Sequence, residues 1–261
     1  MCKQCRRCFN DLSGTVLHRT RLREKWFRYF CLMMGGLSVR ETARELGISK
    51  NTAFAWRHKV IARLAVLDSR TRLGGIVEAD QFFLLKCHKG SPAEARKFRD
   101  SAWNLCRGNR TMAPAEARAC VVVAADRRGN VMATVMPGES SKGLDQALRD
   151  HLEPEARVCV ARDMCHWPRP SLDSIGLTWV SKGRNRAFHR DEYSNHPLHH
   201  VRNVRSLILG FSRWLLRFRG VATKYLVRYS AWYWQVLSGA AMSRPAAAKR
   251  MFMVLLQQFR L

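Results

Sequence analysis

Acidic residues are scarce in this chain of 261 residues. Asp and Glu together number 20 against 46 Lys and Arg, which leaves a formal net charge of +26. A surplus of that size favours a polyanionic partner, either nucleic acid or an anionic membrane surface.

Long hydrophobic runs are missing as well. No window of about 18 residues is free of charge, so no membrane-spanning helix is predicted. The first residues lack the apolar segment of a secretory signal peptide. We therefore expect a soluble, intracellular protein, and nucleic acid is the favoured polyanion.

The chain also lacks internal repeats, low-complexity tracts and a regular cysteine framework. Its nine cysteines are an odd and dispersed set, unlike the paired cysteines of a secreted, disulfide-stabilised domain. Three of them cluster at Cys2, Cys5 and Cys8, and the others are interpreted as small buried hydrophobes. Apolar residues make up 47% of the chain, which excludes wholesale disorder.

Three consecutive helices are predicted before the first strand. An apolar stripe at helical spacing predicts the first over 22–34. Ser38 and Glu41 form a capping box that opens the second helix. Gly47 ends that helix, and Ser49 can cap a third.

The second and third helices have the pattern of a helix-turn-helix, because a short turn with Gly47 separates them and the third helix has a basic side. The alternative is a generic helical hairpin with a solvated basic face. The net charge and the capping box favour DNA binding, with the third helix in the major groove. The residues predicted to contact DNA are Lys50, Asn51, Arg57 and Lys59.

Two predicted strands end on a carboxylate, one at Asp80 after 76–79 and one at Asp163 after 157–162. If these strands are neighbours in one sheet, both carboxylates lie at the same edge. Carboxylate oxygens there can hold Mg²⁺ or Mn²⁺, and two such ions support phosphodiester cleavage or strand transfer. The alternative is that each Asp is only a turn or capping residue.

The rest of the chain fits a mixed fold. The apolar run 119–125 predicts a strand buried on both faces, and it forms a hairpin with 131–136 through a turn that Asp126 opens. The basic segment 87–118 is predicted to be a long loop. Residues 140–152 look helical, and helical periodicity returns from 198.

Several stretches resemble the ISXO-like group of bacterial insertion-sequence transposases. They are 9–26, 36–58, 77–90, 200–204 and 217–226, and the last contains the specific run GVATKYL at 220–226. Members of this DDE-type family pair a zinc ribbon and a helix-turn-helix with an RNase H-like catalytic domain. The resemblance covers nearly the whole chain.

The resemblance implies an α+β or α/β fold, with a helical N-terminal domain followed by an RNase H-like mixed-sheet catalytic domain. The implied domains are a truncated zinc-ribbon remnant at 1–17, a helix-turn-helix domain at 18–68, a DDE transposase domain at 74–240 and a C-terminal helix at 241–261.

By the same resemblance, Asp80 and Asp163 match the first two metal-binding carboxylates, with Mg²⁺ (or Mn²⁺) as the expected ion. The third catalytic position, usually Glu or Asn in the family, falls on Arg205, which cannot ligate a metal and would repel one. Asn203 is the candidate substitute among the catalytic residues, with His200 as another.

Other family positions also differ. Gln81 stands where the family has an acid, and Ser212 where it has a Lys. Only Cys2 and Cys5 match a knuckle of the ribbon, whereas a structural zinc needs four ligands. Cys8 could supply a third ligand and His18 a fourth, although neither matches the family pattern. We therefore expect a truncated ribbon that is metal-free or poorly occupied by zinc.

The leading functional hypothesis is a DNA transposase of an insertion sequence, located in the bacterial cytoplasm with the nucleoid. It would bind double-stranded DNA at the terminal repeats and at the target, assemble as a homo-oligomer on DNA, and catalyse metal-dependent cleavage and strand transfer. The alternative is a catalytically inactive DNA-binding remnant or a repressor-like competitor at element ends. A third possibility is an RNA-binding protein or nuclease on the same scaffold.

Overall fold

A computed structural model describes residues 3, 4, 6, 8, 10, 12–90, 117–136, 148–161, 177–180, 200–218, 220–238 and 244–257. The predictions for Cys2, Cys5, Asp163 and most of the segments 87–118 and 140–152 lie outside these residues. The chain divides into two compact units, one of 1–67 with 231–261 and one of 68–230. Helices and a mixed sheet confirm the predicted mixed α/β class.

The first unit is helical. A 3-10 turn at Arg23–Lys25 leads into α1 (Trp26–Met34), and α2 (Val39–Leu46) and α3 (Lys50–Asp68) follow. The chain returns to this unit with the end of α5 (Leu226–Ser238) and with α6 (Arg244–Gln257).

Local capping sets the ends of α2 and the start of α3, as the sequence predicts. The Ser38 side chain accepts from the Glu41 amide while the Glu41 carboxylate accepts from the Ser38 amide. Gly47 ends α2 in the left-handed region at φ 58°, which glycine adopts at little cost. The Ser49 hydroxyl then accepts from the Thr52 amide at the start of α3.

Aromatic side chains form the core of the helical unit. Trp26 stacks on Trp56 with ring centroids 4.5 Å apart, and the buried Tyr29 hydroxyl donates to the Ala53 carbonyl at 2.6 Å. Phe252 of α6 contacts Phe27 and Phe30 of α1. The C-terminal helix therefore packs on α1.

The second unit is built on a five-stranded sheet in the order β3-β2-β1-β4-β5. The strands are β1 (Ile76–Leu85), β2 (Arg118–Asp126), β3 (Val131–Met136), β4 (Arg157–Ala161) and β5 (Leu177–Val180). β2 is antiparallel to both β1 and β3, whereas β4 is parallel to β1 and to β5.

The prediction that the first strand ends at Asp80 is wrong. The strand continues to Leu85 because β2 pairs with it along its whole length, from Val77↔Asp126 to Leu85↔Arg118. Asp80 therefore lies in the middle of β1.

One face of the sheet is covered by α4 (Arg202–Leu215), which is followed by 3-10 turns at Leu216–Phe218 and Thr223–Tyr225. Phe211 is buried on α4 and contacts Phe82 of β1 edge to face. Alternate residues of β1 point to the two faces of the sheet, so Glu78 and Asp80 share the α4 face with Phe82.

The hairpin turn between β2 and β3 confirms the predicted role of Asp126. Its carboxylate accepts from the amides of Arg128 and Asn130, each at 2.9 Å, and from the Gly74 amide. Burial alone would raise the pKa of Asp126, but hydrogen bonds from Asn130, Gly74 and Arg128 outweigh it and lower that pKa. Among the described residues no helix is long and apolar enough to cross a membrane.

Candidate functional site

Glu78 is a buried carboxylate at the centre of the candidate site. Its side chain is 1% exposed, and it accepts from the backbone amides of Asn203 and Val204 at 2.9 and 3.2 Å. These amides belong to the first turn of α4, which has no side-chain cap of its own. Glu78 therefore caps α4 from a neighbouring strand, where its negative charge also complements the helix dipole.

Three side chains complete the surroundings of Glu78. The Asn203 amide nitrogen donates to it at 3.0 Å, an Arg127 guanidinium nitrogen lies 2.9 Å away, and Nδ1 of His200 lies 3.3 Å away. A buried carboxylate is tolerated when it is paired and hydrogen-bonded in this way.

The thiol of Cys159 lies in the same environment, because Cys159 pairs with Glu78 across β1 and β4. Burial, and next the negative charge of Glu78, raise the pKa of Cys159 to about 11. This cysteine stays protonated at neutral pH. The prediction that the scattered cysteines are buried hydrophobes is confirmed for Cys159 and Cys120, whereas Cys31 and Cys87 are only half-buried.

Asp80, two residues further along β1, meets Arg205 of α4. Nε of Arg205 donates to Oδ2 of Asp80 at 2.8 Å, and Oδ1 accepts from the Gln81 amide at 2.9 Å. The Asp80 side chain is 13% exposed and that of Arg205 is 35% exposed. The residue at the third catalytic position of the resemblance is thus a cation bound to the first carboxylate.

The sheet brings the end of β4 next to Asp80. β1 and β4 are parallel neighbours with Ala79 opposite Val160, and β4 ends at Ala161. The two strands predicted to carry the acidic pair are therefore adjacent and run in the same direction. Asp163 itself lies beyond the described part of β4.

The described residues of this site do not fit a divalent cation. The carboxylate of Asp80 is bound to Arg205, and that of Glu78 accepts from backbone and side-chain donors. No group of three His, Cys, Asp or Glu side chains within the described ranges is placed to hold a metal ion. A hard cation needs several free oxygen ligands, and Arg supplies only donors.

Asn203, the predicted substitute ligand, lies beside Glu78, and so does His200. The α4 side chain that contacts Asp80 is instead that of Arg205. Glu78 was not predicted as a site residue, because the prediction depended on the residue at the end of the expected strand. The signal was present, since two acids spaced by one residue in a strand point to the same face.

The specific run at 220–226 anchors the segment that follows β1. The Thr223 amide donates to the Cys87 carbonyl at 3.0 Å, and the Cys87 amide donates to the Thr223 hydroxyl at 2.8 Å. The Lys89 ammonium donates to the Gly220 carbonyl at 2.9 Å. These contacts give the motif a structural role in the second unit.

On α3, Lys50 and Asn51 are exposed at the start of the helix, as predicted. The ammonium of Lys59 donates to the His18 carbonyl at 2.8 Å, and partial burial lowers the pKa of Lys59. Lys59 is therefore less accessible than the first two.

The prediction that Arg57 lies on the exposed basic side of α3 is wrong. Arg57 is 1% exposed, and its guanidinium donates to the Leu37 carbonyl at 2.6 Å. It also lies over the Trp232 ring, 5.2 Å from the centroid. Helical spacing alone placed it outside, but a carbonyl and an aromatic ring from other segments of the first unit cover it.

Comparison with curated sequences shows that the chain is similar to a protein of a transposable element. The chain is 29% identical over 238 residues to an uncharacterized protein in transposable element ISH50 of Halobacterium salinarum, covering 88% of this chain and 74% of that protein. No protein-family model matches the chain.

Among solved structures, the chain is similar to one in a crystal structure of a pre-cleavage Mos1 transpososome. The similarity has a TM-score of 0.32 at 12% identity and covers 90% of this chain and 79% of that one. A TM-score of 0.32 is too low to establish a shared fold.

Proposed function

We propose that this protein is a transposase-type DNA-binding protein that acts at the ends of a transposable element. The relative in ISH50 supports the link to a transposable element. The net charge of +26 supports a polyanionic partner. On this proposal the protein works in the cytoplasm with the nucleoid and assembles as a homo-oligomer on double-stranded DNA, engaging terminal repeats and target.

The helix-turn-helix of this proposal consists of α2, the turn at 47–49, and α3. Its caps fix the angle at which the chain leaves α2 and enters α3. Lys50 and Asn51 lie at the exposed start of α3, the part of a recognition helix that contacts base edges. Lys59, further along the helix, is bonded to the His18 carbonyl and would contact a phosphate only after leaving that oxygen.

The main support for a transposase architecture is the position of Asp80 on β1, beside the end of the parallel strand β4. A mixed sheet with α4 on the Asp80 face supports the RNase H-like domain that the resemblance implies. The Arg205–Asp80 ion pair favours DNA binding without chemistry as the retained activity. This is the inactive, repressor-like form of the function.

A second candidate function is metal-dependent DNA cleavage and strand transfer. The adjacency of β1 and β4 favours it, because this arrangement would bring Asp163 close to Asp80. In this candidate Asp80 and Asp163 would hold Mg²⁺ or Mn²⁺ once Arg205 left Asp80. Asn203 would be the third catalytic residue.

The test uses the full chain and labelled DNA from the two flanks of its gene. Binding is measured by fluorescence anisotropy at several salt concentrations, and nicking is measured on sequencing gels with Mg²⁺ or Mn²⁺. The proposal predicts tight, steeply salt-dependent binding with no nicks. Nicks that disappear in Asp80→Asn would establish the second candidate, and the absence of binding to either flank would refute both.

Lys50→Ala is the variant that tests the helix-turn-helix, and Arg23→Ala is its charge-matched control. Both side chains are exposed in the helical unit, so each variant removes one surface charge. The first should weaken binding to the element ends far more than the second. Equal losses would mean that charge alone, and not α3, determines the affinity.

A further inference from the structure

The exposed face at the start of α3 carries an aromatic ring. Phe54 is 49% exposed, which makes it the most exposed aromatic side chain of the described residues. It follows Lys50 by four residues and Asn51 by three, so the three side chains share one face of the helix. The opposite face carries the buried residues Ala53 and Trp56.

Phe54 is held on this face by the next turn of the helix. Its ring lies 4.3 Å from the His58 ring, centroid to centroid, at an interplanar angle of 50°. This contact limits the rotation of the Phe54 side chain and leaves the rest of its apolar surface exposed. A single exposed apolar side chain does not by itself mark a binding surface, so the interpretation depends on its position beside Lys50 and Asn51 at the start of α3.

The N-terminal segment contacts the later turns of α3. Lys59 is bonded to the His18 carbonyl, and a cavity of about 490 Å³ lies between residues 15–18 and the helix surface from Ala55 to Val66. The start of α3, where Lys50, Asn51 and Phe54 are exposed, lies outside this cavity. This is the part of a recognition helix that reaches the floor of the major groove.

Charge favours a polyanion as the occupant of this face. From Lys50 to Leu67 the helix contains no acidic residue. A helix of that composition in a chain of net charge +26 is complementary to a polyanion.

We propose that α3 reads an adenine and a nearby thymine in the major groove, through Asn51 and Phe54 respectively. An Asn carboxamide can pair with N6 and N7 of adenine, and a Phe ring can cover the C5-methyl group of thymine. Because Asn51 and Phe54 lie one helical turn apart, their contacts fall on the same or neighbouring base pairs. This inference rests on the proposed function, and it names the DNA chemistry that the helix recognises.

The experiment removes the recognised groups from the DNA one at a time. A binding site is first selected from a random duplex library with the full chain. Each thymine of that site is then replaced by deoxyuridine, which lacks only the methyl group, and each adenine by 7-deazaadenine, which lacks the N7 acceptor. Kd is measured for the wild type, Phe54→Ala, Asn51→Ala and the control Leu216→Ala, which shortens an exposed apolar side chain of the other unit.

At one thymine position, the loss of the methyl group should weaken wild-type binding about fourfold, the value expected for one buried methyl group. The same replacement should have no effect on Phe54→Ala, while Leu216→Ala behaves like the wild type. At one adenine position, 7-deazaadenine should weaken the wild type but not Asn51→Ala.

Three results would overturn the inference and leave the proposed function intact. The first is tight binding that no deoxyuridine or deazaadenine affects. The second is a deoxyuridine penalty that persists in Phe54→Ala. The third is a Phe54→Ala variant that changes only the oligomeric state. A chain that selects no DNA site at all would overturn the proposed function together with the inference.

Discussion

The guanidinium of Arg205 donates to the carboxylate of Asp80 at 2.8 Å, across the interface between α4 and the sheet. This ion pair places a positive charge where the second candidate function would require a divalent cation. Because of this ion pair, DNA binding is proposed as the main function and DNA cleavage only as the second candidate.

Replacement of Arg205 by Asn should create a measurable affinity for Mn²⁺. The substitution removes the cation that neutralises Asp80 and supplies a neutral oxygen donor. Bound Mn²⁺ is counted from the loss of the free-ion signal in electron paramagnetic resonance. The wild type should bind no Mn²⁺ at this site.

Two controls accompany that measurement. Arg202→Asn changes an exposed residue of the same helix and should bind no Mn²⁺, and Asp80→Asn combined with Arg205→Asn should lose the gained site. Wild-type protein that binds Mn²⁺ as tightly as Arg205→Asn would show that the ion pair does not exclude the metal.

Glu78→Gln should destabilise the protein by about 2–4 kcal/mol, because it removes a buried charge and leaves Arg127 and the first turn of α4 without their carboxylate. The free energy of unfolding is measured by urea denaturation. Glu153→Gln is the matched control, since its ion pair with Arg128 is half-exposed and solvent screening makes such a pair contribute little to stability. Similar losses in both variants would contradict the role given to Glu78.

Asp68 should make stability depend on pH. Burial raises its pKa from an ordinary value of 3.8 to about 7. The folded state therefore binds more protons than the unfolded state between these values, so this contribution to stability is complete below pH 3.8 and is lost as pH rises through about 7.

Asp68→Asn should remove that loss and stabilise the protein at pH 8 by about 2–4 kcal/mol relative to the wild type. Urea unfolding at pH 5 and pH 8 measures it, and Glu155→Gln, an exposed acid, is the control. The prediction fails if both variants show the wild-type dependence on pH.

Arg57→Ala and Lys50→Ala should separate stability from DNA binding. Arg57 is buried against the Leu37 carbonyl and Trp232, so its loss should lower the free energy of unfolding by about 2–4 kcal/mol. Lys50 is exposed, and its loss should change stability by less than about 0.5 kcal/mol while weakening DNA binding. Stability is measured by thermal unfolding and DNA binding by anisotropy, on the same samples. An Arg57→Ala variant that weakens DNA binding without losing stability would show that Arg57 belongs to the DNA interface.

Local signals predicted the fold best where they act within one turn of chain. The caps at Ser38 and Ser49 and the left-handed Gly47 depend only on neighbouring residues, so the helix boundaries they set could be predicted. The end of β1 could not, because Leu85 stays in the strand only through pairing with the distant Arg118. The packing of Phe252 on α1 is equally long-range.

The candidate site could be predicted only in part, because most of its contacts join distant segments of the chain. The sequence indicated the strands on either side of it and the presence of a cation at position 205. The pairing of that cation with Asp80, and the capping of α4 by Glu78, join residues about 125 positions apart in the chain. Spacing within one segment contains no information about such contacts. Whether Asp163 completes the site remains a prediction.

The most direct test of the account is a single incubation of the wild-type chain with end-labelled DNA from the flanks of its gene, in Mn²⁺, analysed for bound DNA and for nicks. The account predicts a retarded complex that weakens steeply with salt and contains intact strands. Nicks in the wild type that Asp80→Asn abolishes would contradict it, and so would the absence of any specific complex.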